Sequence, residues 1–398
     1  MHVDLTEPGM WERNEFCAAL AWLRDNEPVY RHPEPDGDGF WVLTRYADVA
    51  RVYGDDELFS SRLGMRLDSK PEAVAAVTGR MLIVTDPPEH NRLRQLVGTG
   101  LGRGAMPRIE ESVRRVVSDV VADAVKQGEL DFLDAAKKIP NHVVCDLMGV
   151  PREHWEWVGN TISESFDATD EDKLEADGEL FLLFTELLME RRENPGDDFI
   201  SIIAHARRKN RGGGPDLELS DEEIVVNCHG VLAGANETTR YVMSGGLLEF
   251  AREPAHLDWL RTADDAGIAS AVEEMLRWTT PAVHVLRTTT RDTEIGGVPI
   301  AAGDRVTAWN PAANRDPAVF QDPDRFLPGR TPNKHLAFGV GQHFCIGARI
   351  GRMELAAFLT ELRAHVTAVE LTGEPRYNAS NFTWGLTTLP VRLTPVSR

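Results

Sequence analysis

Residues 338–347 read Phe338-Gly339-Val340-Gly341-Gln342-His343-Phe344-Cys345-Ile346-Gly347. The cysteine stands among three glycines, in a loop that leads into a helical pattern carrying Ile346, Ile350, Met353, Ala357 and Phe358 on one side. Glycines permit unusual backbone angles and the close approach of a flat ligand. A helix start favours an anion, which predicts a lowered thiol pKa and a stabilised thiolate. Lone cysteines are usually small buried hydrophobes, and Cys17, Cys145 and Cys228 read that way. Cys345 instead has the setting that axial ligation of haem iron requires. A Cys–His nucleophile fits less well. His343 lies two residues away in the same loop, whereas a general base usually comes from a separate element.

Outward from this loop the chain is chiefly helical. A helix is predicted to open over 151–157, and 179–192 carries Leu180, Phe184, Leu187 and Leu188 at helical spacing. Ser220 and Glu223 form a capping box, from which a helical pattern runs about thirty residues towards Pro254. At 1.5 Å per residue such a helix spans roughly 45 Å. Another helix covers 266–279. The period then changes to two over 283–291, 293–300 and 305–309, which predicts short antiparallel strands. Strands and helices do not alternate, so a doubly wound sheet is excluded. The expected class is mainly α with a small antiparallel β component. The basic run 207–211, followed by Gly212-Gly213-Gly214-Pro215, reads as a surface loop between helices rather than a linker. One domain over residues 1–398 is expected.

Composition narrows the function. With 43 Lys+Arg against 63 Asp+Glu the formal charge is −20, which excludes a nucleic-acid or anionic-membrane partner. No run reaches the ~18 apolar residues of a membrane span, and Met1-His2-Val3-Asp4 lacks a signal-peptide pattern. Four cysteines make no disulfide framework. The expectation is a cytoplasmic bacterial protein.

The pattern Phe-Gly-x-Gly-x-His-x-Cys-x-Gly resembles the haem-binding loop of the cytochrome P450 superfamily at every defining position. The resemblance implies that family's fold, one large helical domain around a buried haem b. It implies Cys345 as the thiolate ligand, with Phe338, Gly339 and Gly347 among the cofactor-binding residues. Glu274-Met275-Leu276-Arg277 is similar to the family's Glu-x-x-Arg helix, and Arg330 matches the arginine coupled to it, although Leu327 stands where an Asp is frequent. These three residues are expected to form a structural ion network, not a catalytic one. In Asp86-Pro87-Pro88-Glu89-His90-Asn91-Arg92-Leu93-Arg94 the prolines start a helix with His90 and Arg94 on one face. By the resemblance, His90, Arg94, Arg287 and His343 hold the haem propionates.

Within the long helix, Gly234-Ala235-Asn236-Glu237-Thr238-Thr239 forms a polar island. A carboxylate and a hydroxyl are costly in an apolar helix, and Gly234 weakens it there, so the island suits a helix that opens locally at a site. Glu237-Thr238 resembles the family's acid–alcohol pair. In that pair the alcohol assists dioxygen activation and the acid relays protons from solvent. Ala235 replaces the family's second Gly, and its methyl narrows the groove for dioxygen.

The resemblance implies a monooxygenase that hydroxylates or epoxidises a medium-sized, largely apolar molecule of specialised metabolism. Oxidation of a carrier-protein-bound amino acid is an alternative. So is a peroxide-driven or isomerising reaction, against which the retained Glu237-Thr238 pair speaks. By family position the substrate pocket draws on Leu232, Gly234, Ala235, Val283, His284, Val285, Phe382 and Trp384. Without a fused flavin or iron–sulfur domain, electrons are expected from an acidic ferredoxin and its NAD(P)H-dependent reductase, delivered to a monomer. Segments 325–352 and 90–108 hold five and four basic residues and no acid. Arg92, Arg103, Arg108, Arg349 and Arg352 are therefore expected to steer the ferredoxin.

Overall fold

A computed structural model describes residues 3–34, 37–167, 170–209 and 214–396. Nine helices carry the argument: α1 Tyr46–Gly54, α2 Glu89–Val97, α3 Met106–Gln127, α4 Lys138–Met148, α5 Trp155–Asp167, α6 Asp170–Glu193, α7 Asp221–Arg252, α8 Asp265–Thr279 and α9 Ala348–His365. The capping box forms as expected. Glu223 N–H donates to Ser220 Oγ (3.2 Å) and Ser220 N–H to Glu223 Oε2 (2.9 Å). From it α7 runs 32 residues, roughly 48 Å at 1.5 Å per residue. Helices α3, α4, α7 and α9 bury one apolar core, with Val117, Val143, Leu247 and Phe358 at most 2 % exposed.

One correction concerns α7. The polar island does not open the helix, which is unbroken through 221–252. The Thr238 hydroxyl donates back to the Gly234 carbonyl at 2.7 Å, so it is satisfied inside an intact helix.

The main sheet has five strands: β1 Val29–Glu34, β2 Gly37–Leu43, β3 Phe59–Ser60, β4 His284–Thr289 and β5 Arg305–Trp309. Their order is β1-β2-β5-β4-β3. All pairs are antiparallel except β2 with β5, which run parallel with Trp41 opposite Val306. The predicted strand near 293–300 is a small hairpin, Thr293–Ile295 against Val298–Ile300. Strands 366–371 and 390–395 pair beside α9. Asn210, Arg211, Gly212 and Gly213 lie outside the described residues. On either side of them Arg208 and Leu217 exchange main-chain hydrogen bonds of 3.0 and 2.7 Å.

Candidate active site

The cysteine loop is shaped from behind by α1. Gly339 and Gly341 have φ of +65° and +75°, and a Cβ on either would strike Tyr53, at 3.0 Å from the ring and 2.4 Å from the carbonyl oxygen respectively. Tyr53 is itself fixed by hydrogen bonds between its hydroxyl and the Asn310 side chain at 2.9 and 3.0 Å. Gly339 is therefore required by backbone conformation and by packing on Tyr53. The loop closes where Cys345 N–H donates to the Phe338 carbonyl at 2.9 Å.

Cys345 is exposed, unlike the buried Cys145 and Cys228. Its thiol nevertheless sits among protein groups, and that desolvation pushes its pKa up. The N–H groups of Gly347 and Ala348 and the guanidiniums of Arg94 and Arg352 pull the other way without prevailing. This corrects the expectation that the helix start alone makes a thiolate. A thiol so placed becomes a thiolate through a cation bonded to sulfur.

Four residues from distant parts of the chain converge beside this loop. The His90 and His343 rings lie 4.2 Å apart. Burial, together with Arg287, His90 and Arg94, pushes the His343 imidazolium down to about 2. Burial and Arg94 likewise lower His90, whose two ring nitrogens are buried without a hydrogen-bond partner. Arg94 donates to the Phe344 carbonyl at 2.6 Å, and Arg287, 4 % exposed, to the Leu286 carbonyl at 2.8 Å. Among the described residues neither arginine has a carboxylate partner. A buried group of cations and orphaned donors is an anion site.

The Glu274 network is complete in itself. Arg277 forks onto both carboxylate oxygens at 2.7 and 2.8 Å, and Arg330 Nε donates at 3.0 Å. Leu327 N–H and Asn333 Nδ2 add bonds of 2.8 and 3.1 Å. The arginines also hold main-chain carbonyls, including those of Asn314, Pro323 and Arg325, so the network fastens the segment leading to the cysteine loop.

On α7, Glu237 is 1 % exposed, accepts from Ser163 Oγ at 3.1 Å and pairs with Arg240. A narrow polar cleft lined by Asn141, His142, Asn160, Ser163 and Asn236 lies between α4, α5 and α7. Beside Thr238, Thr239 hydrogen-bonds Glu354 of α9, and burial pushes that carboxyl up to about 8. Thr239 Oγ1 also lies 3.8 Å from where a Cβ on Gly351 would stand, so the polar island packs on the helix that follows Cys345.

These features are shared with known proteins. Residues 268–378 match the family model described as Cytochrome P450. Cytochrome P450 NovI of Streptomyces niveus is 35 % identical, over 98 % of this chain and 96 % of its own length. Linalool 8-monooxygenase of Pseudomonas putida is 34 % identical over 98 % and 99 %. The crystal structure of P450 OxyD, involved in the biosynthesis of vancomycin-type antibiotics, superposes with a TM-score of 0.87 at 35 % identity, covering 99 % of this chain and all of that one. The chain belongs to the cytochrome P450 family.

A cytochrome P450 is an oxidoreductase, and the family implies haem with a cysteine thiolate ligand. The residues present fit that group. An accessible thiol stands next to a cluster that demands anions, which the two haem carboxylates supply.

The expected pocket residues differ in burial. Leu232, Val283 and His284 are fully buried. His284 accepts from or donates to its neighbours through both nitrogens, 2.7 Å from the Asn381 carbonyl and 3.3 Å from Leu67 N–H, and burial lowers it to about 4. Trp384 donates to the Trp11 carbonyl at 3.1 Å and stacks on Tyr377, serving the N-terminal core. Phe382 is buried beneath the Arg66 guanidinium, 4.6 Å from its ring. Gly234 is exposed, and Ala235 and Val285 are half-buried.

The docking arginines are mostly engaged. Arg92 pairs with Glu223, Arg108 bonds the Asp146 and Leu147 carbonyls, Arg349 meets Glu110 at 3.1 Å, and Arg352 forks onto Glu273 at 2.6 and 2.9 Å. Among the described residues only Arg103 of the five has no ion pair.

Sequence reasoning missed Tyr53, Ser163, Arg240 and Glu354. Only Glu354 left a signal, a carboxyl within the apolar stripe of α9.

Proposed function

We propose that this cytochrome P450 is a haem-thiolate monooxygenase that hydroxylates or epoxidises a medium-sized, largely apolar molecule of bacterial specialised metabolism. The observation that carries the reading is Cys345 beside four carboxylate-free cationic or donor residues, of which His90 and Arg287 are buried and Arg94 and His343 half-buried. Haem, when bound, supplies dioxygen activation by two electrons, with one oxygen atom going to substrate and one to water. Cys345 holds the iron, and His90, Arg94, Arg287 and His343 hold the carboxylates.

Glu237 has almost no contact with bulk water, so its protons arrive through the Ser163 hydroxyl bonded to it, from the polar cleft beside α5. Thr238 Oγ1, now donating to the Gly234 carbonyl, presents the alcohol of the pair. The substrate class rests on relatives named for linalool oxidation and for antibiotic biosynthesis. Electrons come from a ferredoxin and its NAD(P)H-dependent reductase, for which the exposed Arg103 and Arg349 remain as steering charges. The protein acts as a monomer of one domain.

Cys345→Ser is expected to abolish the red-shifted Soret band of the ferrous CO complex while the protein stays folded by circular dichroism. A retained band would overturn the ligand assignment. Thr238→Ala is expected to divert electrons to hydrogen peroxide with haem still bound. An unchanged product-to-NAD(P)H ratio would remove Thr238 from the proton path.

A further inference from the structure

Helix α8 presents two consecutive acids with different duties. Glu274 serves the network described above. Glu273 faces α9 and the cysteine loop, where Arg352 Nε and Nη2 donate to its two oxygens at 2.6 and 2.9 Å. His335 Nε2 lies 3.0 Å from Glu273 Oε2, and His335 Nδ1 accepts the Ala337 N–H at 3.2 Å. With Nδ1 accepting, Nε2 is the nitrogen that donates to Glu273.

Arg352 is held in a particular place. It stands two helical turns after Cys345, and its guanidinium carbon lies 4.6 Å from the centre of the Phe338 ring. The His335 ring approaches the same phenyl at 6.1 Å. The Phe338 carbonyl in turn accepts the Cys345 amide at 2.9 Å. A bidentate carboxylate thus fixes a guanidinium against the residue that closes the cysteine loop.

We propose that Arg352, with Glu273 as its counter-ion and His335 as the tether, is a positioning residue that sets the electron-donor strength of the Cys345 thiolate and the reduction potential of the bound haem. This rests on the haem-thiolate reading above. It also takes Arg352 out of the set of ferredoxin-docking charges. The physical basis is charge. Reduction adds an electron to the iron–thiolate unit, so a nearby fixed cation favours the reduced state and a nearby anion opposes it.

The test uses the haem-loaded protein and spectroelectrochemical titration of Arg352→Gln, Glu273→Gln and Arg352→Lys. Arg352→Gln is expected to move the ferric/ferrous potential to more negative values, and Glu273→Gln to more positive ones. Arg352→Lys, which keeps the charge but loses the fork, is expected to stay close to the parent potential while losing haem faster. A structural brace alone predicts no such opposition of sign. Equal-direction shifts, or no shift in either Gln variant, would overturn the proposal. If Arg352→Gln does not retain haem, Glu273→Gln decides, since an unchanged or more negative potential there is equally fatal. Absence of the red-shifted ferrous CO band from the parent protein would instead refute the haem-thiolate reading, a separate outcome.

Discussion

Two buried charge clusters flank the cysteine loop and differ in completeness. Around Glu274, one carboxylate accepts from two arginines, an amide side chain and a main-chain N–H, at zero exposure. Around His343, two arginines and two imidazoles meet without an acid, and burial and Arg94 lower both imidazoles. The first cluster is finished by the chain itself and belongs to the architecture. The second is finished only by anions, which marks a binding site. Each holds two arginines, so it is the balance of charge that separates scaffold from site.

Breaking the first cluster gives the largest effect. Glu274→Gln leaves two buried guanidiniums without their anion and is expected to cost about 3–5 kcal/mol, seen as a fall in the thermal midpoint with or without haem. A small loss, under about 1 kcal/mol, would mean that the arginines find water or other partners.

Glu354 offers a third case, an acid buried without any cation, and it sharpens the rule. Burial raises its pKa to about 8 from the ordinary 4.5, so the folded state holds the proton more tightly. Its contribution is therefore fully present at low pH, declines as pH rises through this window and is constant above about 8. The decline between pH 4.5 and 7 is at most about 3 kcal/mol. Glu354→Gln is expected to flatten that slope in denaturant unfolding measured across pH, and an unaltered slope would show that the carboxyl ionises freely in the fold.

The smallest effect on the bare protein is expected at the second cluster. Arg287→Met removes a buried cation with no carboxylate partner, so the haem-free protein is expected to melt at the same temperature or higher. Haem retention, measured by transfer to apomyoglobin, is expected to fall by roughly 10–100-fold. Destabilisation of the haem-free protein comparable to that of Glu274→Gln would make the two clusters alike and erase the distinction.

Legibility from sequence followed the distance over which each feature is assembled. The cysteine loop, the capping box at Ser220 and the Glu274–Arg277 pair span ten residues or fewer, and each stands where its spacing placed it. The ion pairs of the docking arginines were hidden because their partners lie far along the chain. Arg92 meets Glu223 across 131 residues, Arg352 meets Glu273 across 79, and Arg349 meets Glu110 across 239. The contacts of His284 were hidden similarly, since the groups that occupy its nitrogens come from residues 67 and 381. The expected opening of α7 failed for a local reason, because a threonine hydroxyl can satisfy a carbonyl within an intact helix.

By itself the sequence determined the helical class and the family, because periodicity and short motifs are written in consecutive residues. Only the tertiary structure decided which charges are spent on the fold and which are left for a ligand. A side chain's charge is local, but whether it is balanced depends on every element packed around it.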